Sequence, residues 1–100
     1  MLFASLLPGV FFAIGAQAQD QADLVKTGAK MYDNNCAPCH GDKLVGSGVT
    51  FDLRRLKASE RPRFESSVLN GKNQMPPWKG VLKDTDIEAL WVYIRANANE

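Results

Sequence analysis

The segment Cys36-Ala37-Pro38-Cys39-His40 holds both cysteines and the single histidine of the 100-residue chain. Two thiols three residues apart on a tight turn can each add to one of the two vinyl groups of a haem. The adjacent imidazole then reaches the iron from the same side. This spacing is typical of c-type haem attachment. It predicts one covalently bound haem c, with Cys36 and Cys39 forming the thioether bonds and His40 as an axial ligand of the iron.

Three other interpretations of this segment explain less. A redox-active pair of the thioredoxin type requires a βαβ setting, and the sequence has no apolar–polar alternation long enough to form a sheet. A zinc site with two cysteines and one histidine would lack a fourth ligand. A simple disulfide would leave His40 without a role. Haem attachment uses all three side chains.

The sixth coordination position of the iron needs another ligand or stays open. Because the chain has no second histidine, the candidates within it are methionine, lysine and the amino terminus. Met31 lies on the same predicted helix as Cys36, where a flexible thioether is expected to fill core space. Met75 precedes Pro76 and Pro77, which hold the backbone extended and can present the side chain rigidly. The sequence therefore predicts Met75 as the second axial ligand, which favours ferrous iron and raises the reduction potential.

Residues 1–18 contain no charged side chain and are mostly apolar. This stretch is shorter than the roughly 20 apolar residues that span a bilayer. It ends in Ala16-Gln17-Ala18, the small-x-small pattern that a signal peptidase reads. We expect residues 1–18 to be a cleaved secretory signal. The positive charge that usually precedes the apolar run of such a signal is absent here. The alternatives are an uncleaved membrane anchor and a buried apolar helix. Residues 19–100 would then form one periplasmic domain without a membrane span.

The remaining apolar pattern is helical. The predicted helices cover residues 22–35, 62–69 and 84–95. Gly28 costs about 1 kcal/mol relative to Ala inside a helix, so we expect another helix to approach it closely. The stripe of Ile87, Leu90, Trp91 and Ile94 should pack in the core. The fold class is therefore all-α with long loops, and so small a core needs a staple such as a covalent haem.

The chain resembles a small class I cytochrome c. The resemblance rests on Gly28-x-x-x-Tyr32-x-x-x-Cys36, on Asp52-Leu53, on Met75-Pro76 and on Leu90-Trp91-Val92-Tyr93-Ile94. It implies the class I cytochrome c fold, with three to four helices and long loops wrapped around one covalent haem. In that family a proline carbonyl before the Asp/Asn-Leu pair accepts the N–H of the axial histidine. Phe51 takes that position here.

Two further stretches, residues 46–55 and 63–71, resemble the cytochrome modules that serve quinoprotein (PQQ) alcohol dehydrogenases. The resemblance implies redox-protein partners. The candidate electron donor is a quinoprotein alcohol dehydrogenase, and the candidate acceptor is a terminal oxidase or another cytochrome.

Residues 54–63 form a basic cluster with one acid, Glu60. Its five cations are Arg54, Arg55, Lys57, Arg61 and Arg63. Two interpretations stay open. The cluster is either a docking patch or an anchor for a haem propionate, in particular through Arg54, or it is a solvated loop without a specific role.

The charge balance restricts the function. A net charge of +1 argues against nucleic acid or an anionic membrane as the main partner. The sequence shows no acid–base pair, and its one histidine is assigned to iron, so we predict a monomeric one-electron carrier and not an enzyme. It would accept electrons from a periplasmic dehydrogenase and pass them to the respiratory chain. The alternative is a peroxidase-like haem enzyme or a gas sensor with an open sixth position.

Overall fold

Four α-helices and three 3-10 turns make up the regular structure of the computed structural model, which describes residues 10–46 and 50–99, with side chains from residue 20 onward. The helices are α1 (Val10–Asn35), α2 (Ala37–His40), α3 (Arg61–Asn70) and α4 (Asp84–Ala96). The 3-10 turns cover Asp42–Leu44, Leu53–Arg55 and Ala58–Glu60. No strand occurs within these described ranges, which confirms the all-α prediction.

Helices α3 and α4 lie within about one residue of their predicted bounds, whereas α1 begins at Val10 and not at Ala22 as predicted. The reason is local, because residues 16–22 consist of Ala, Gln and Asp, without a proline, a glycine or a β-branched residue to end a helix. The first half of the predicted secretory signal, residues 1–9, lies outside the described residues. Among the residues that are described, no helix has the length and apolar character needed to cross a membrane.

Helices α1 and α4 cross with their backbones in contact at Gly28. A Cβ atom at this position would lie 2.0 Å from the carbonyl oxygen of Ala89 and 2.7 Å from the Cβ of Tyr93. Ala89 is itself fully buried. Any side chain at Gly28 would therefore push the two helices apart, which confirms the close approach predicted from the sequence.

The core surrounds the part of α4 between Ile87 and Ile94, where all side chains but that of Glu88 are buried. Its buried side chains are Ile87, Ala89, Leu90, Trp91, Val92, Tyr93 and Ile94. Aromatic contacts join α4 to its neighbours, because the ring centroids of Tyr32 and Tyr93 are 5.6 Å apart and those of Phe64 and Trp91 are 5.1 Å apart. Met31 packs against this core, as expected from its place on α1.

Tyr32 connects α1 to the turn after α2. Its side chain is fully buried, and its hydroxyl donates a hydrogen bond to the carbonyl oxygen of Gly41 at 2.5 Å. Gly41 ends α2 with a φ of 89°, and a Cβ atom there would lie 2.0 Å from the carbonyl oxygen of Val45. Tyr32 thus fixes a turn whose shape requires glycine.

Tyr32→Phe is expected to lower the free energy of unfolding of the holoprotein by about 1 kcal/mol, because the Gly41 carbonyl loses its partner. Burial raises the pKa of Tyr32 to about 12, above the value of about 10 for an unfolded chain. The unfolded chain therefore loses a proton first, and wild-type stability should fall as the pH rises from about 10 toward 12. Denaturant unfolding at several pH values measures both effects. Tyr93→Phe is the matched control, and equal losses from the two variants would contradict the assignment.

Candidate functional site

The Cys36–His40 segment continues α1 into a tight helical turn. The backbone N–H of Cys36 donates to the Tyr32 carbonyl at 2.8 Å, and that of His40 donates to the Cys36 carbonyl at 2.9 Å. Pro38 occupies the first turn of α2, where the missing N–H costs nothing. Cys36 and Cys39 are free thiols, half-buried and exposed respectively. The turn therefore holds two thiols and an imidazole on one short rigid segment.

A cavity of about 830 Å³ lies against this segment. This volume is within the range typical of cofactor sites. All four residues predicted to bind haem line it: Cys36, Cys39, His40 and Met75. The buried apolar side chains of Leu90 and Ile94 from α4 contribute to its wall. The structure thus brings together side chains that are far apart in the sequence.

Met75 reaches this cavity from a loop closed by backbone hydrogen bonds. The N–H of Lys72 donates to the Met75 carbonyl at 3.1 Å, and the N–H of Met75 donates to the Lys72 carbonyl at 2.9 Å. Beyond the prolines, the N–H of Trp78 donates to the Val68 carbonyl of α3 at 2.8 Å. The sequence predicts a loop stiffened by Pro76 and Pro77, and the structure adds these backbone hydrogen bonds on both sides of Met75.

His40 is in a state suited to metal ligation. Burial lowers the pKa of His40, and the nearby backbone of Phe51 has a smaller effect in the opposite direction. The Nδ1 atom is buried, and among the described residues no hydrogen bond of normal geometry reaches it. A lowered pKa favours the neutral imidazole, which is the form that binds a metal ion.

The two cysteines lack the properties of a thiol-redox pair. Burial raises the pKa of Cys36 to about 11, with a smaller contribution from Cys39. Reactive Cys-x-x-Cys pairs have lowered thiol pKa values instead. The described part of the chain also holds no group of three or more His, Cys, Asp or Glu side chains placed to bind a metal ion. These observations disfavour the thioredoxin-type and zinc interpretations.

Within the basic cluster of residues 54–63, Arg63 is the cation that lines the cavity, whereas Arg54, the candidate propionate anchor, does not line it. The Arg54 guanidinium instead contacts the Asp52 carboxylate at 2.9 and 3.0 Å and holds the pKa of that carboxyl below its usual range. Arg61 pairs with Glu65 at 3.0 Å and with Glu88 of α4. The order of charges along the chain does not reveal which of them faces the cavity.

Comparison with known proteins assigns the chain to a family. Residues 23–94 match the family described as cytochrome c oxidase, cbb3-type, subunit III. A cytochrome c6 of Nostoc sp. is 36% identical over 106 aligned residues, covering 98% of this chain and 94% of that protein. The chain belongs to the class I c-type cytochromes. The cytochrome is therefore an electron-transfer protein, and its cofactor is covalently bound haem c.

Two longer proteins also resemble this cytochrome over part of their length. The cbb3-type cytochrome c oxidase subunit FixP of Bradyrhizobium sp. is 35% identical over 75 residues, covering 69% of this chain and 26% of that protein. The quinohemoprotein alcohol dehydrogenase ADH-IIG of Pseudomonas putida is 28% identical over 78 residues, covering 76% of this chain and 11% of that enzyme. No solved structure matches the cytochrome.

The residues around the cavity fit haem c. The two thiols are unbonded, and the buried Nδ1 atom of His40 has no hydrogen-bond partner among the described residues. The cavity wall also contains apolar side chains. The helical fold, with the cavity lined by helices and by the loop of Met75, agrees with the class I cytochrome c fold expected from the sequence.

Proposed function

We propose that Cys36 and Cys39 hold the haem by thioether bonds and that His40 and Met75 are its axial ligands. The observation that carries this proposal is that all four side chains line one cavity. The neutral form of His40, the unbonded thiols and the backbone-closed loop of Met75 support the same assignment.

When bound, haem c supplies a one-electron Fe(III)/Fe(II) couple. The chain keeps the coordination shell constant, because His40 lies on the rigid turn of α2 and Met75 on a loop tied to α3. Leu90 and Ile94, both buried, add an apolar part to the cavity wall. Both features suit a carrier that exchanges electrons with other proteins at small structural cost.

We further propose that this carrier works in the bacterial periplasm as residues 19–100, after removal of residues 1–18. The partial identity to a quinohemoprotein alcohol dehydrogenase supports a quinoprotein alcohol dehydrogenase as the electron donor. The partial identity to an oxidase subunit supports a terminal oxidase, or another cytochrome, as the acceptor.

Oxidised holoprotein mixed with a quinoprotein alcohol dehydrogenase and its alcohol should be reduced within seconds, at a rate proportional to dehydrogenase concentration. Stopped-flow absorbance of the ferrous haem measures this rate. The same mixture without alcohol is the control. If the dehydrogenase and its alcohol leave the haem oxidised, but a chemical reductant added separately reduces it readily, the proposed donor is wrong and the carrier function stands.

A further inference from the structure

The cations of the basic cluster differ in whether a carboxylate of the chain neutralises them. Arg54, Arg61 and Arg63 each pair with a carboxylate at 2.9 to 3.0 Å. Arg55 and Lys57 are exposed, and neither forms an ion pair with a described residue. The fold therefore leaves these two positive charges available to an outside partner.

The two cations border a depression in the surface that is distinct from the cavity of the candidate haem site. Its volume is about 630 Å³. The described residues that line it are Arg55, Leu56, Lys57, Ala58, Ser59 and Asn99. No acidic side chain occurs among them, and the Ser59 hydroxyl and the Asn99 amide can donate hydrogen bonds. A concave surface with positive charge and further donors suits the carboxylates of a partner.

Hydrogen bonds hold the backbone of this depression in place. The N–H of Asn99 donates to the Arg54 carbonyl at 2.8 Å, and the N–H of Leu56 donates to the Leu53 carbonyl at 3.2 Å. The guanidinium of Arg95 on α4 donates to the Leu56 carbonyl at 2.7 Å. The segment that carries the two cations is thus tied to α4 and to the chain beyond it, so docking orders little additional backbone.

Leu56 connects the depression to the haem site. Among the described residues it alone lines both the depression and the cavity. Its side chain is buried, so at this point one side chain forms the wall between the two. Electron transfer between proteins slows steeply as the distance between their redox centres grows. A redox protein seated in the depression would be separated from the haem cavity by this wall alone.

We propose that the depression is the docking surface for an acidic segment of a redox-partner protein, and that electrons pass between partner and haem at the Leu56 wall. The proposal rests on the proposed carrier function. Carboxylates of the partner pair with Arg55 and Lys57, which raises the rate of encounter and makes it sensitive to salt.

A decaglutamate peptide is a simple probe for such a segment. Added to ¹⁵N-labelled ferrous holoprotein at low salt, it should shift the backbone amide signals of the depression in NMR spectra, and high salt should reverse the shifts. Arg55→Glu/Lys57→Glu should weaken peptide binding about tenfold. Lys26→Glu/Lys30→Glu is the matched control, because it makes the same change of net charge at exposed positions of α1. It should keep the affinity within about twofold.

Hexacyanoferrate(III), a trivalent anion, tests the electron route. It takes one electron from the ferrous haem, which leaves ferric haem and hexacyanoferrate(II), and stopped-flow absorbance gives the rate. At low salt, saturating peptide should slow this reaction about tenfold, and Arg55→Glu/Lys57→Glu should slow it by a similar factor without peptide. The Lys26→Glu/Lys30→Glu control should react within about twofold of the wild-type rate.

Two results would overturn the proposal. One is an equal loss of peptide binding in both double variants, because net charge alone would then explain it. The other is a peptide that binds in the depression without slowing oxidation, which would place the electron route elsewhere. Failure of the carrier function is seen separately, because hexacyanoferrate(III) would then fail to oxidise the ferrous wild-type protein even without peptide.

Discussion

Met75→Leu should abolish the weak far-red absorption band that sulfur-ligated ferric haem shows, and should open the sixth coordination position of the ferrous protein to carbon monoxide. Leucine has nearly the volume of methionine but no sulfur, so the wall of the cavity stays filled while the ligand is lost. The loop itself should persist, because its hydrogen bonds to Lys72 use only the backbone. The reduction potential should fall as well, since thioether ligation raises it.

Optical spectra in both oxidation states, with and without carbon monoxide, measure this prediction. Met31→Leu is the matched control, since it makes the same substitution at a methionine that packs against the core. It should keep the band and exclude carbon monoxide. A wild-type protein that lacks the band and binds carbon monoxide readily would instead favour a peroxidase-like enzyme or a gas sensor with an open position.

Gly28→Ala should destabilise the holoprotein by about 3 kcal/mol or more, at the upper end of the range for overpacked cores. The new Cβ atom would meet the Ala89 carbonyl oxygen at 2.0 Å, and because this neighbour is backbone it cannot rotate away. Helix propensity alone predicts the opposite sign, a gain of about 1 kcal/mol from replacing glycine with alanine. The sign of the change therefore decides between local propensity and helix packing.

Denaturant unfolding followed by circular dichroism measures the change in unfolding free energy. Thr27→Ala, one residue earlier at an exposed position of α1, is the control and should change stability by about 0.5 kcal/mol or less. A Gly28→Ala variant as stable as the wild type would show that α1 and α4 do not cross at this point.

The sequence determined the helices and the haem motif because both depend on local signals. The apolar spacing of Ile87, Leu90 and Ile94 predicted α4, and the cost of Gly28 in a helix pointed to a close neighbour. The predicted start of α1 at Ala22 is wrong because the sequence favours a separate apolar segment before it, whereas residues 16–22 contain no residue that ends a helix.

The surroundings of the site were harder to predict because they depend on contacts between distant residues. Nothing in the order of charges distinguishes Arg63, which faces the cavity, from Arg54, which turns back to Asp52. The two backbone hydrogen bonds between Lys72 and Met75 also cannot be predicted from the sequence, because they do not depend on which side chains these residues carry. The spacing of residues in the sequence is enough to predict the candidate haem ligands. The contacts that support these ligands can be identified only from the folded structure.

The crossing of α1 and α4 has a consequence for the order in which the chain can fold. These two helices are the first and last of the domain, so the contact at Gly28 joins its most widely separated segments and closes its largest loop. Such long-range closure comes late and is slow. During synthesis the surface of α1 around Gly28 lacks its partner helix until residues 84–96 have been made. Helix α4, which holds none of the four proposed haem-binding residues, therefore determines when their surroundings become a folded protein.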